Sequence, residues 1–141
     1  MRLGTIGFSL EMSKLLALPD QLNKNVQVAL DKTGDEAEGI AADLAHVQTG
    51  AMRAGLYHAT AESSGYEAAV AAARSIHPDV VILPEVPRPP PGVMILADCT
   101  LEGTTEELGT ALHEPHPFLG PALVRSESSF ARNMEDAGRS L

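Results

Sequence analysis

"NVQVALDKTGDEAEGIAADLAHVQTGA", residues 25–51, is the stretch whose reading decides the fold. Val26, Val28 and Leu30 alternate with polar or small residues, the period of a strand with one apolar face, and the run ends in Asp31. "DKTGD" (31–35) is a good turn sequence, and Ile40, Leu44 and Val47 then recur at helical spacing. Strand, turn and helix are predicted in that order. "DVVILPEV" (79–86) is a β-branched run of the kind buried on both faces of a parallel sheet. "MRLGTIG" (1–7) would be an abbreviated first strand, and "PALV" (121–124) a fourth weakened by its Pro. Between these runs, Tyr66, Val70, Ala73 and Ile76 show helical period. "TTEELGTALH" (104–113) opens on Thr104 with Glu107 three positions later, a capping-box arrangement. The alternation predicts an α/β fold, a parallel sheet with crossover helices. "PEVPRPPPGV" (84–93) reads as a rigid loop leaving the C-terminal end of a strand, where such sheets place ligands.

A chain of 141 residues has the size of one domain. Ten basic against nineteen acidic residues give a net charge of −9, which repels phosphate backbones and anionic lipid and so argues against nucleic-acid and membrane-surface partners. The single cysteine, Cys99, forms no internal disulfide, and no apolar run reaches the roughly 20 residues a membrane span needs. A cytoplasmic protein is expected, with a mitochondrial presequence as the alternative because Arg2 and Lys14 sit among apolar residues near the start. The polar segment 126–141 lacks clear period and reads as a loosely ordered tail.

"GTIGFSL" places Gly4 and Gly7 where a dinucleotide-binding turn would hold its first glycines, although Ser9 or Leu10 stands where the third belongs. An ordinary strand-to-helix turn would look the same. Asp31 follows Gly7 near the separation of about 20 residues at which a carboxylate accepts ribose hydroxyls, while a solvated turn acid is the alternative. His113 and His116 flank Glu114, but Pro115 breaks a helical presentation and no further ligand lies nearby. His58 and His77 read as isolated, satisfied residues, and Cys99 has no neighbouring base. No metal site and no hydrolytic triad are predicted.

"GIAADLAHVQTGA" (39–51), after an acid-ended run and followed by "MRAGLY", resembles the second strand and following helix of the malate dehydrogenases. "DVVILPEVPRPPPGV" (79–93) resembles that family's apolar strand and Pro-Arg loop over the active site. The resemblance covers approximately residues 3–97 and implies a Rossmann-type three-layer domain with a short, mostly parallel sheet, a degenerate dinucleotide-binding domain over 1–125. It implies NAD as cofactor, bound weakly or no longer bound, through Gly4, Gly7, Asp31 and Ser126, and Arg88 as a substrate-clamping arginine. It also implies a homodimer or larger assembly through the helix at 40–47, with Ala42, Asp43, Ala45 and His46 at the contact. Departures fall at the working parts. Glu85 stands where backbone usually approaches the cofactor, no second arginine occurs over 93–96, and the His-Asp relay of the family's second half has no counterpart. An NAD-dependent malate–oxaloacetate dehydrogenase module, inactive in isolation, and a non-catalytic structural or regulatory subunit are the two functions this leaves.

Overall fold

The computed structural model describes residues 7–11, 20–45, 50–112 and 114–139. The fold is mixed α/β, with strands β1 (Gly7–Glu11), β2 (Leu56–Ala59) and β3 (Val93–Asp98). Helices are α1 (Asp20–Leu44), α2 (Ala51–Ala54), α3 (Tyr66–Ile76), α4 (Leu101–Leu108), α5 (Leu119–Arg125) and α6 (Glu127–Arg139). The sheet order is β1-β3-β2, and both pairings are antiparallel, with Gly7 opposite Ala97 and Leu56 opposite Asp98. The described sheet is thus not the mostly parallel one expected.

The largest correction concerns 25–31, which lies inside the 25-residue helix α1. Val26, Leu30, Thr33, Ala37 and Ala41 are buried, recurring every three or four residues, whereas Val28 is 67% exposed. The alternation of Val26, Val28 and Leu30 is a fragment of a longer helical stripe. Gly34 does not break the helix because a mid-helix glycine costs only about 1 kcal/mol relative to alanine, far less than the packed stripe returns.

The run at 79–86 is extended but pairs only at the isolated Ile82–Thr100 bridge. Pro78, Pro84 and Pro87 carry no amide donors, so a ladder cannot extend along it. Leu83 N still donates to Cys99 O at 2.7 Å and Leu101 N to Val81 O at 3.0 Å, which holds the segment beside the end of β3. "GVMILAD" (92–98), which begins at the end of the loop expected over 84–93, supplies the central strand from Val93. "PALV" lies in α5, where Pro121 falls in the first turn and its missing donor breaks no intrahelical bond. The Thr104–Glu107 capping box does not form. Thr100 caps α4, its hydroxyl accepting from Gly103 N at 3.0 Å, and Glu107 caps α5. The first-strand expectation at 1–7 falls outside the described residues except at Gly7, which opens β1. The tail is helical over α6 and packs on α1, with Asn133 and Ala137 buried.

Both faces of the sheet are covered. Leu56, Met94 and Leu96 join Val26, Leu30, Met52, Phe118 and Leu119 in one core cluster beneath α1 and α5. Tyr57, Ala59 and Ala97 join Ala69, Ala73 and Val86 in a second cluster beneath α3. Tyr57 and Tyr66 clamp the proline-rich segment: Tyr57 OH accepts from Val86 N at 3.1 Å, and Tyr66 OH donates to Leu83 O at 2.7 Å.

Candidate metal centre

Period 2 along β2 sends Tyr57 and Ala59 into the α3 cluster and turns His58 toward α1. Residues spaced by three and four along α1 share the facing flank, and Asp31, Asp35 and Glu38 occupy it. The imidazole, 12% exposed, bridges them. Its Nε2 lies 3.1 Å from Asp31 Oδ1, its Nδ1 bonds Glu38 Oε2 directly, and Asp35 Oδ1 stands 3.8 Å from Nδ1. A Cβ on Gly34 would sit 2.4 Å from the ring, so only glycine lets His58 lie against the helix. Burial disfavours the charged ring, but hydrogen bonding to Glu38, that carboxylate's charge, and then Asp31 outweigh it and raise the pKa above 6.5.

A hydroxyl and amide network extends the cluster. Ser63 Oγ donates to Asp31 Oδ1 at 3.1 Å, Gln27 Nε2 donates to Asp31 Oδ2 at 3.2 Å, and the Ser63 and Thr60 hydroxyls are 3.1 Å apart. Arg88, beyond Thr60, reaches its carbonyl at 3.5 Å and pairs with Glu85 at 3.8 Å.

Two predicted site residues, Asp31 and Arg88, therefore meet at opposite ends of one network, Asp31 on a helix rather than at a strand end. Ser126 lies far along the chain in the α5–α6 junction, its hydroxyl donating to Leu123 O at 2.8 Å. Gly7 is in β1, away from any turn described, while Gly4 and His46 lie outside the described residues. Ala42 and Ala45 are partly buried against the chain's own core, and exposed Asp43 stands 3.9 Å from Arg53, which also donates to Ala42 O.

His58, expected to be isolated, is the centre of the cluster. Its partners Glu38 and Asp31 are 20 and 27 residues away in sequence. The available signal was the Asp31, Asp35, Glu38 spacing, which becomes a face only if 25–44 is read as one helix. Ligand atoms of Asp35, Glu38 and His58 lie within 4.8 Å of one another, the sole such group of three among the described residues. Two ligands of one ion, each roughly 2.0–2.2 Å from it, are about 3–4 Å apart, so the Asp35–His58 spacing already fits. Ser63 addresses Asp31 rather than the imidazole, and Cys99 is buried with its thiol pushed up to about 11, first by burial and then by Asp98. Neither is an activated nucleophile. No helix among the described residues is long and apolar enough to cross a membrane.

No family model, curated protein or solved structure matches the chain.

Proposed function

We propose that this protein binds a divalent first-row cation such as Zn²⁺ or Mn²⁺ through His58 Nδ1, Asp35 and Glu38. The observation that carries this function is the convergence of those ligand atoms from two packed elements. Asp31 adds what a coordinating histidine needs: a carboxylate on the other ring nitrogen, which fixes the ring and raises its basicity. The ion would replace the proton on Nδ1 and open the direct Glu38 contact, leaving positions for water. One imidazole and two carboxylates suit Zn²⁺ and Mn²⁺, with zinc held more tightly in the usual affinity order.

Calorimetric titration of chelator-treated protein with ZnCl₂ or MnCl₂ tests the assignment. One site per chain is expected, weakened about 10- to 100-fold or more in His58→Ala and in the Asp35→Asn/Glu38→Gln pair, and unchanged in Asp43→Asn. Absence of binding at millimolar ion, or equal binding by folded His58→Ala, would overturn it.

One observation favours NAD as an alternative ligand: Asp31 and Arg88, singled out from separate motifs resembling the dehydrogenases, join the same network through Ser63 and Thr60. A ribose would have to displace Ser63 or Gln27 from Asp31, since both oxygens already accept hydrogen bonds. Fluorescence titration with NADH separates the two ligands: saturable micromolar binding lost in Asp31→Ala supports the dinucleotide, and an unchanged signal rejects it.

A further inference from the structure

Two positions beyond Leu96, the register partner of His58, the central strand closes on a carboxyl group that the metal centre does not use. Asp98 is 3% exposed. Its Oδ1 accepts from Thr100 N at 2.9 Å and from Thr100 Oγ1 at 2.6 Å, while Oδ2 is buried with no hydrogen-bond partner among the described residues. Two glycines wall it in: a Cβ on Gly103 would stand 2.6 Å from Asp98 Cγ, and one on Gly55 3.0 Å from Oδ1. The same Thr100 hydroxyl that donates to Asp98 accepts from Gly103 and caps α4, so this carboxyl group is built into the joint between β3 and α4.

We propose that Asp98 is a proton-sensitive latch: held as the neutral acid it closes the β3–α4 joint, and its ionisation loosens that joint and admits water to Oδ2. An ionised carboxylate with an unsatisfied buried oxygen is costly, whereas opening the first turn of α4 hydrates it. Among the groups around it, Glu102 faces it from α4 and disfavours a second negative charge. Gly55, on the β2 side, has no ionisable side chain, and the neighbouring Cys99 thiol stays neutral. Burial first, with Glu102 adding to it and against the two Thr100 hydrogen bonds, pushes the Asp98 carboxyl up to about 7. In the opened joint it returns to about 3.9. The opened state therefore binds fewer protons between these values, and the opening constant rises about tenfold per pH unit from roughly 4 to 7, then levels off.

Cys99, adjacent and fully buried, reports the opening through alkylation. With the joint open, its thiolate fraction rises about tenfold per pH unit below roughly 8.5. The labelling rate of the native protein should thus climb about 100-fold per unit between pH 5 and 7 and about tenfold per unit above it. Asp98→Asn should show the tenfold dependence throughout. Glu102→Gln, which keeps the acid but removes its negative neighbour, should move the break in slope to lower pH, and it carries the test should Asp98→Asn fail to fold. Equal slopes in wild type and folded Asp98→Asn, or an unmoved break in Glu102→Gln, would overturn the latch. So would a labelling rate that rises with urea as steeply as global unfolding, because the opening would then not be local.

Discussion

At the scale of single residues, the cluster depends on a missing methyl group. Gly34 lies in the middle of α1, where alanine would be the better helix former, yet its Cβ would overlap the His58 ring at 2.4 Å. Gly34→Ala is expected to destabilise the protein by about 1–3 kcal/mol, the usual cost of overpacking, and to weaken cation binding by displacing the imidazole. Urea unfolding and the ZnCl₂ titration check the two effects separately. A folded variant of wild-type stability would show that the ring does not need this space. His58 also gives stability a pH dependence. Its folded pKa is raised above 6.5, so its contribution is full below that value and is lost as pH rises through the folded pKa. In chelator, the difference in melting temperature between wild type and His58→Gln should shrink from pH 6 to pH 8.5, and a difference that grows would contradict the assigned charge state.

At the scale of elements, α3 was legible and α1 was not, for a definable reason. Tyr66, Val70, Ala73 and Ile76 belong to a short helix whose period nothing imitates. Over 25–31 a two-residue period and a helical period coincide, and only the continuation through Thr33, Ala37 and Ala41 separates them. The strand at 93–98 was hidden because it follows four prolines, and its pairing with 7–11 joins segments that no local pattern connects. Of the candidate site, the sequence singles out Asp31 and Arg88, but nothing marks the histidine that links carboxylates on α1 as long as 25–31 reads as a strand. The capping of α5 was equally non-local. Glu107 Oε1 accepts from Phe118 N at 2.8 Å and Leu119 N at 2.7 Å, satisfying amides that helix α5 leaves open. Glu107→Ala is expected to cost about 2–3 kcal/mol in chemical unfolding, since charge-assisted bonds to buried donors are lost. Glu107→Gln, which keeps an acceptor, should cost less. Equal stability of the alanine variant and wild type would exclude a capping role.

At the scale of the whole molecule, the chain is closed by contact between helices that are distant in sequence. Helix α6 lies along α1, and Asn25 Nδ2 donates to Ala137 O at 3.2 Å. At the centre of that contact Asn133 Nδ2 donates to Thr33 Oγ1 at 3.0 Å, and Thr33 Oγ1 in turn donates to Ala29 O at 2.8 Å. Both side chains are buried, so losing Thr33 strands the Asn133 amide where water cannot reach it, while losing Asn133 leaves Thr33 Oγ1 bonded to Ala29 O but opens a cavity and removes the tie to α6. Thr33→Val and Asn133→Ala are each expected to destabilise by about 1–3 kcal/mol. The double variant should cost less than the two together, because the second substitution removes the group the first left unsatisfied. Single, coincident unfolding transitions by helix signal and by tyrosine fluorescence, to which Tyr57 and Tyr66 both contribute, should accompany the loss, since α6 shares the core of α1. If the two substitutions add without coupling, or if helix signal is lost before the tyrosine environment changes, α6 is an appendage and the buried bond does not tie the C-terminal helix to the fold.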